Sequence, residues 1–546
     1  NYLSLTVNQD YQINYIMKNN FINIIFFFIF LIGTLFSNEL FSQTQVQGSI
    51  EGTWSGNIEV IGDIYVEEGK NLTIQEGTRV VFSGPYIMNV WGSVIASGTA
   101  TSPIYFTVSD TAGFSDSATL AGSWQGIVYS HILSTTDSSI YKHVYFEYTK
   151  DLRDNGETSS GGAFTITGFP KVRLSNCHFL YTKSWSAGGA IAMKTGADIK
   201  IEFCSFDNAQ LYDSLMGFGG ALYAFESSPI VRHCIFTGNK AVWLGGALCF
   251  YYSQAIIQYN EYTQNHADIG GAISLVHSTP KIPLVNNLIY GNSATFFGGG
   301  MACNNDSKPV IVNNTIVNNM AAMGGGFYCN DSAMPKIYNS VITNNLSFGA
   351  GNQVYIWDIY SAPSFYYCNV EGGLSQFAGS GALGGYHGEY LNNLDTLNYF
   401  QIEPGFTFVP SATSPLHNAG TPDTTGLGLS GMDLAGNNRM VHNRIDIGAF
   451  ERQTGIGIES IVNAFEIFPN PVNDELTVKL HSAINGPVVV NIYSLSGSLV
   501  SSGVVKATGS TFCITLAELT GGKISSGTYV ISLNGAVNYS GKIIVN

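Results

Sequence analysis

Short apolar runs alternate with glycine and asparagine along most of this chain, and the alternation recurs at a fixed distance. Gly161-Gly162-Ala163-Phe164 returns as Gly188-Gly189-Ala190-Ile191, Gly219-Gly220-Ala221-Leu222, Gly245-Gly246-Ala247-Leu248 and Gly270-Gly271-Ala272-Ile273. It returns again as Gly298-Gly299-Gly300-Met301 and Gly324-Gly325-Gly326-Phe327. The first glycines stand 27, 31, 26, 25, 28 and 26 residues apart, the period of a stack of similar units. A second phrase, apolar-x-x-Asn, precedes most of these corners: Phe236 to Asn239, Tyr262 to Asn265, Ile289 to Asn292, Ile316 to Asn319, Ile342 to Asn345. Two residues before each apolar position stands a small polar side chain: Cys177, Cys204, Cys234, Asn260, Asn287, Asn314.

Period-two alternation broken by turn formers predicts three short strands per unit, with no room for a helix. Such a unit is one coil of a parallel β-helix, with the next coil's strand about 4.8 Å above it. The expected fold is all-β: a right-handed parallel β-helix followed by a small C-terminal β-sandwich. Cys177, Cys204, Cys234, Asn260, Asn287 and Asn314 then form an inward structural ladder, in which each Asn bonds the rungs above and below. The glycine pairs suit corners that need positive φ. No single coil offsets its own backbone entropy, so coils are stable only when stacked.

The expected organisation is as follows. Residues 1–42 are upstream residues and a signal peptide, with the start at Met17, the apolar run Phe21 to Phe36 and cleavage near Ser42. Residues 43–150 are opening coils, 151–410 the glycine-repeat helix and 411–455 a solenoid-closing segment. After Arg452 the composition changes. Leu476-Thr477-Val478, Val488 to Tyr493, Ser526 to Val530 and Lys542 to Val545 read as a small domain of six or seven strands over residues 464–546.

Net charge is −15 with only 11% charged residues, so there is no basic stripe for nucleic acid. The eight cysteines follow the repeat; buried thiols and cross-coil disulfides are both open to them. No Cys-x-x-Cys spacing occurs, and the ten histidines are scattered.

The Gly-Gly-Ala and Phe-x-x-Asn phrases, over Gly161 to Gly351, resemble the polymorphic outer-membrane protein repeats, a likeness that speaks to fold and not to function. Pro469-Asn470-Pro471, the Tyr493 to Gly497 turn, Ser526-Gly527-Thr528-Tyr529 and the terminal Lys-Ile-Ile-Val resemble the type A sorting domain of the Bacteroidetes type IX secretion system. That resemblance implies the secretion machinery as a partner, passage across the outer membrane, and release or attachment at its outer face. It leaves no transmembrane helix in the mature chain. Ser414 to Gly420, Asp433 to Asn437 and Asp446 to Glu451 resemble the closing segment of choice-of-anchor surface proteins. There Asp433, Asp446 and Glu451 either bind calcium or shape turns.

Candidate chemistry is sparse. Glu202, Arg232 and Glu261, beside His178 and His233, are the candidate catalytic set for polysaccharide cleavage; a solvated ion-pair ladder is the plainer reading. Asp306 and Asp331 fall in equivalent turns, as calcium ligands or exposed turn residues. Trp185, Trp243, Phe297 and Phe348 precede the glycine corners, as a sugar-stacking strip or as corner packing. Trp185, Trp243 and Phe297, with His178 and His233, are the candidate ligand-binding residues. The expected function is a surface adhesin or carbohydrate-binding solenoid recognising a polysaccharide or cell-surface glycan. It requires no cofactor, and calcium is the only candidate. The alternative is a polysaccharide lyase or glycoside hydrolase.

Overall fold

The computed structural model describes residues 43–152, 160–212, 216–383, 385–396, 408–411, 413–440, 444–453, 465–494, 499–522, 524–535 and 539–546. The leader with Met17 and Ser42, and the Ser496-Gly497 turn, lie outside these residues. The chain forms two units, one ending at Arg452 and one beginning at Gln453.

The first unit is a parallel β-helix. A representative coil has the strands Leu222–Phe225, Ile230–Arg232 and Ile235–Thr237. Each pairs in parallel with its equivalent one repeat later: Leu222 with Leu248, Val231 with Ile257, Phe236 with Tyr262. The middle strands of the coils form a 13-stranded sheet; the outer two sets merge into a 25-stranded sheet through longer strands such as Asn57–Val66 and His178–Ser184. From His266 onward each coil adds a fourth strand that the three-strand expectation omitted. His266–Ile269, Ser293–Phe297, Met320–Met323 and Leu346–Ala350 make a four-stranded sheet along the approach to the glycines.

The interior is a set of matched columns. Phe106, Phe146, Phe179, Phe206, Phe236 and Tyr262 stack with ring centroids 5.3, 5.1, 4.6, 4.8 and 5.0 Å apart, and Ile289, Ile316 and Ile342 continue the column. Beside them runs the Cys/Asn column. Cys234 N donates to Asn260 Oδ1 at 2.9 Å, Asn260 N to Asn287 Oδ1 at 3.0 Å, and Asn287 N to Asn314 Oδ1 at 2.9 Å. Above it Cys177 and Cys204 are buried free thiols, and burial pushes the Cys177 and Cys234 thiols up. Asn239, Asn265, Asn292, Asn319 and Asn345 form a second amide column with Nδ2-to-Oδ1 bonds of 2.9–3.0 Å. A third column, Ser227, Ser253, Ser278 and Ser307, bonds N–H to Oγ at 3.0–3.3 Å. The serines follow the first glycine of each repeat by eight or nine residues, a periodic signal that the polar character of the turn concealed.

The glycine corners have two demands. Gly245 has φ +68°, and a Cβ on the following Gly246 would collide with the carbonyl oxygen of Gly271 on the next coil.

The described residues between 408 and 452 do not cap the end of the solenoid, as a closing segment was expected to do. They lie along its flank as a strap. Phe408 packs on Leu288 and Val317, and Leu416 and Ile447 on Val341. The end of the interior is closed instead by Phe377 and Tyr390 of the last coil itself together with Tyr386, and Phe377 meets both tyrosine rings edge to face.

The second unit is one antiparallel sheet of five described strands, Phe465–Phe468, Glu475–Ser494, Leu499–Thr515, Gly527–Gly535 and Tyr539–Val545. The count falls below six or seven because two expected strands are parts of one. A register shift between Lys479 and Ile484 lets Glu475–Ser494 run on unbroken.

Candidate functional site

Each coil changes direction at single residues in the left-handed region. One such column stands immediately before the Cys/Asn ladder: Asn176, Phe203, His233, Tyr259, Asn286, Asn313 and Asn339, with φ between +47° and +58°. Asparagine tolerates this conformation; a bulky aromatic ring there is strained. The ladder residue points inward, so the corner residue points out, between the middle sheet and the sheet that follows it.

The downstream half of the column is covered by the strap. Asn313 Nδ2 donates to the carbonyls of Asp446 and Gly448, both at 3.0 Å, and Asn339 Oδ1 accepts from Thr421 N at 2.7 Å. Asn286 Nδ2 donates to Met432 O at 3.2 Å and its Oδ1 accepts from Arg439. Arg439 also pairs with Glu451 at 3.4 Å, both buried. Asp433, Asp446 and Glu451 are buried with it, but backbone amides take up their oxygens. Asp433 accepts from Asn437 N and Glu451 N, Asp446 from Asn418 N and Arg452 N, and Glu451 from Asp446 N. These carboxylates hold the strap's turns. Burial, and Asp446 beside it, push the Glu451 carboxyl up to about 8 against the opposing pull of Arg439.

The upstream half is open. Phe203, 56% exposed, stacks on His233 at 4.7 Å with the ring planes nearly parallel; His233 stacks in the same way at 4.9 Å on Tyr259, which is buried where its hydroxyl meets Ser430 of the strap. Parallel to this corner stack runs another on the following sheet. Arg79 lies over Tyr105 at 4.9 Å, Tyr105 stacks on Tyr145 at 4.9 Å, and Tyr145 on His178 at 4.3 Å. Between the stacks lies a groove of about 330 Å³ lined by His143, Tyr145, Asn176, His178 and Phe203, with Pro103 at its side. His178 Nδ1 contacts Ser205 Oγ at 2.9 Å, and Ser205 Oγ donates to Asp207 Oδ2 at 3.0 Å. The single hydroxyl proton of Ser205 goes to Asp207, so Nδ1 of His178 carries its own proton and Nε2 is the free base. Burial pulls the His178 imidazolium down and pushes the Asp207 carboxyl up.

Several expected groupings do not form. Glu202 pairs in register with Arg232, but Arg232 then pairs with Gln258, and Glu261 lies on the next sheet opposite Ile235. Glu202 and Arg232 stand two residues before the ladder, Glu261 one residue after it. The corner residue and the inward residue put those positions on different walls, so the three do not converge. Burial pushes the Glu261 carboxyl up without a partner carboxylate. His178 shares the Glu261 wall, whereas His233 is a corner residue.

The proposed aromatic strip is also broken. Phe297 belongs to a column with Ile269 and Met323, while Trp243 precedes Leu244 of that column by one residue and Trp185 precedes Ala187 by two. Phe348 stands two residues before Ala350, the column's member on its own coil, and so falls outside it too.

Asp306 and Asp331 do stack on adjacent coils, through Asp306 N to Asp331 O at 2.8 Å. The Asp331 carboxylate accepts from Asn330 Nδ2, and Asp331 N donates to Asp358, so this is a turn column. Among the described residues, no group of three His, Cys, Asp or Glu side chains is placed to hold a metal ion, and no helix is long and apolar enough to cross a membrane.

The sequence reading missed Tyr105, Tyr145, Phe203, Tyr259, Ser205 and Asp207. The corner residues had a usable signal, since each directly precedes a ladder residue.

Residues 62–293 match the family model of a right handed beta helix region, and residues 466–546 that of a secretion system C-terminal sorting domain. The first match assigns the solenoid its hand, and the second marks the chain for export. Together they define an exported β-helix protein, secreted or held at the cell surface. No curated protein matches the chain.

Proposed function

We infer that this exported solenoid binds a glycan chain along the open half of its corner column. The carrying observation is the groove with the stacked Tyr145 and His178 on one side and Phe203, stacked on His233, on the other. Sugar rings present an apolar face to aromatic rings and a hydroxyl rim to amide, imidazole and carboxylate groups. Asn176, His143, Ser205 and Asp207 supply such groups. Backbone strain at Phe203 supports the reading, because Asn286, Asn313 and Asn339 fill the same corner without it. The sorting domain then delivers the binding surface to the outer face of the outer membrane or to the medium.

A glycan array probed with the full chain tests this. Binding to a polysaccharide class that falls at least tenfold in Phe203→Asn and in Tyr145→Ala is expected; binding unchanged in both defeats it. A second reading, polysaccharide cleavage, draws on the hydrogen-bonded run His178–Ser205–Asp207 with an Asp207 carboxyl that burial holds toward its neutral form. It requires new reducing ends or unsaturated uronate from a pectin and alginate panel, abolished in Asp207→Asn.

A further inference from the structure

The outward face of the glycine-corner sheet carries two neighbouring columns of large side chains, each of which ends in alanine. Tyr328 pairs in register with Tyr355, and Tyr355 with Ala378. In the neighbouring column Phe297 pairs with Met323, and Met323 with Ala350. Phe297 stacks on Tyr328 at 4.7 Å, Tyr328 on Tyr355 at 6.2 Å, and Trp357 meets Phe297 edge-on at 5.3 Å. Where both columns drop to alanine, a cavity of about 270 Å³ opens, lined by Ala350, Ala378, Ser347, Asn352, Ser375 and Gln376.

Its polar groups are partly committed and partly free. Asn352 Oδ1 accepts from Ser347 N at 3.0 Å and from Ser347 Oγ at 2.9 Å, which fixes the amide and leaves Nδ2 as a donor. Gln376 has no side-chain hydrogen bond among the described residues. Gly349 and Gly351 keep the mouth clear; a Cβ on Gly351 would press on Ala378 at 3.2 Å. No lining residue is charged.

We propose that this cavity binds one neutral pyranose ring, taking the place of the missing side chain after Tyr355. The sugar fills the space over Ala350 and Ala378, and its hydroxyls meet Asn352 and Gln376. A charged sugar is disfavoured because no counter-charge lines the cavity. The site shares only its ligand class with the glycan-binding reading; it is built from other coils and another wall than the corner groove.

The test is saturation-transfer NMR on the full chain with methyl glycosides of glucose, galactose, mannose and N-acetylglucosamine. Transfer to at least one glycoside is expected. It is lost in Ala378→Tyr, weakened about tenfold in Asn352→Ala, and kept in Ala378→Ser. Phe203→Asn, which disables the corner groove, keeps it as well. Ala378→Tyr extends a column already made of tyrosines, and an unchanged melting temperature verifies its fold. No transfer to any of the four glycosides, or transfer that survives Ala378→Tyr, overturns the proposal. The corner-groove reading fails on a different result, polysaccharide binding that persists in Phe203→Asn and Tyr145→Ala, so the two failures are separable.

Discussion

The two halves of the solenoid use one backbone for different ends. Upstream, the inward ladder is thiol (Cys177, Cys204, Cys234), the core column is aromatic, and the exposed outward corners are Phe203 and His233. Downstream, the ladder is amide (Asn260, Asn287, Asn314), the core column turns to isoleucine, and the corners Tyr259, Asn286, Asn313 and Asn339 are bonded to the strap. Asparagine suits the left-handed corner and presents a donor and an acceptor to a passing main chain. The downstream half is therefore built to hold its own polypeptide. The upstream half accepts strain to keep rings in solvent, which is the arrangement of a surface that meets something else.

The largest effect is expected inside the amide ladder. Asn287→Ala removes the acceptor of Asn260 N and Nδ2 and leaves buried groups unpaired, at a cost of about 3–5 kcal/mol. Hydrogen exchange should rise on the adjoining coils, and a change confined to residue 287 would show the ladder to be passive. Cys204→Ala, in the thiol half, should cost clearly less.

Next comes the pH response of the strap. The folded Glu451 carboxyl titrates near 8 against an ordinary 4.5, so the folded state holds the proton more tightly than the open one. Strap stability is then full below about pH 4.5 and falls as pH rises toward 8, with opening increasing by up to tenfold per unit. Proteolysis between 411 and 452 should quicken from pH 5 to pH 8, and Glu451→Gln should flatten the profile. Cleavage that slows with pH would reverse the assignment.

Asn313→Ala removes both carbonyl contacts to the strap and places alanine at φ +52°. Strap docking should weaken by about 3 kcal/mol, read as protease sensitivity, while the upstream ring stacks keep their spectroscopic signature.

The smallest effect has the opposite sign. Phe203→Asn exchanges a strained ring for a residue at home in the left-handed region and should stabilise the coil by about 1 kcal/mol, seen as a raised melting temperature. A Phe203→Asn chain that is less stable would mean the ring is held for packing.

The repeat determined most of the fold. A period near 26 residues with glycine corners and a Cys/Asn position leaves stacked parallel coils as the consistent solution, and the ladder residues occupy the column read for them. The export address was also readable, because it rests on short local motifs. The site was not. Whether Glu202 and Glu261 share a wall depends on which residue takes the corner, and one residue of offset sends a side chain to another sheet. The strap's seat on Asn286, Asn313 and Asn339 links positions 82 to 146 residues apart, and no period announces it. The alternation of the chain settled which residues face in. Only the folded coil decided which outward residues meet, because that depends on corner dihedrals and on what crosses the surface.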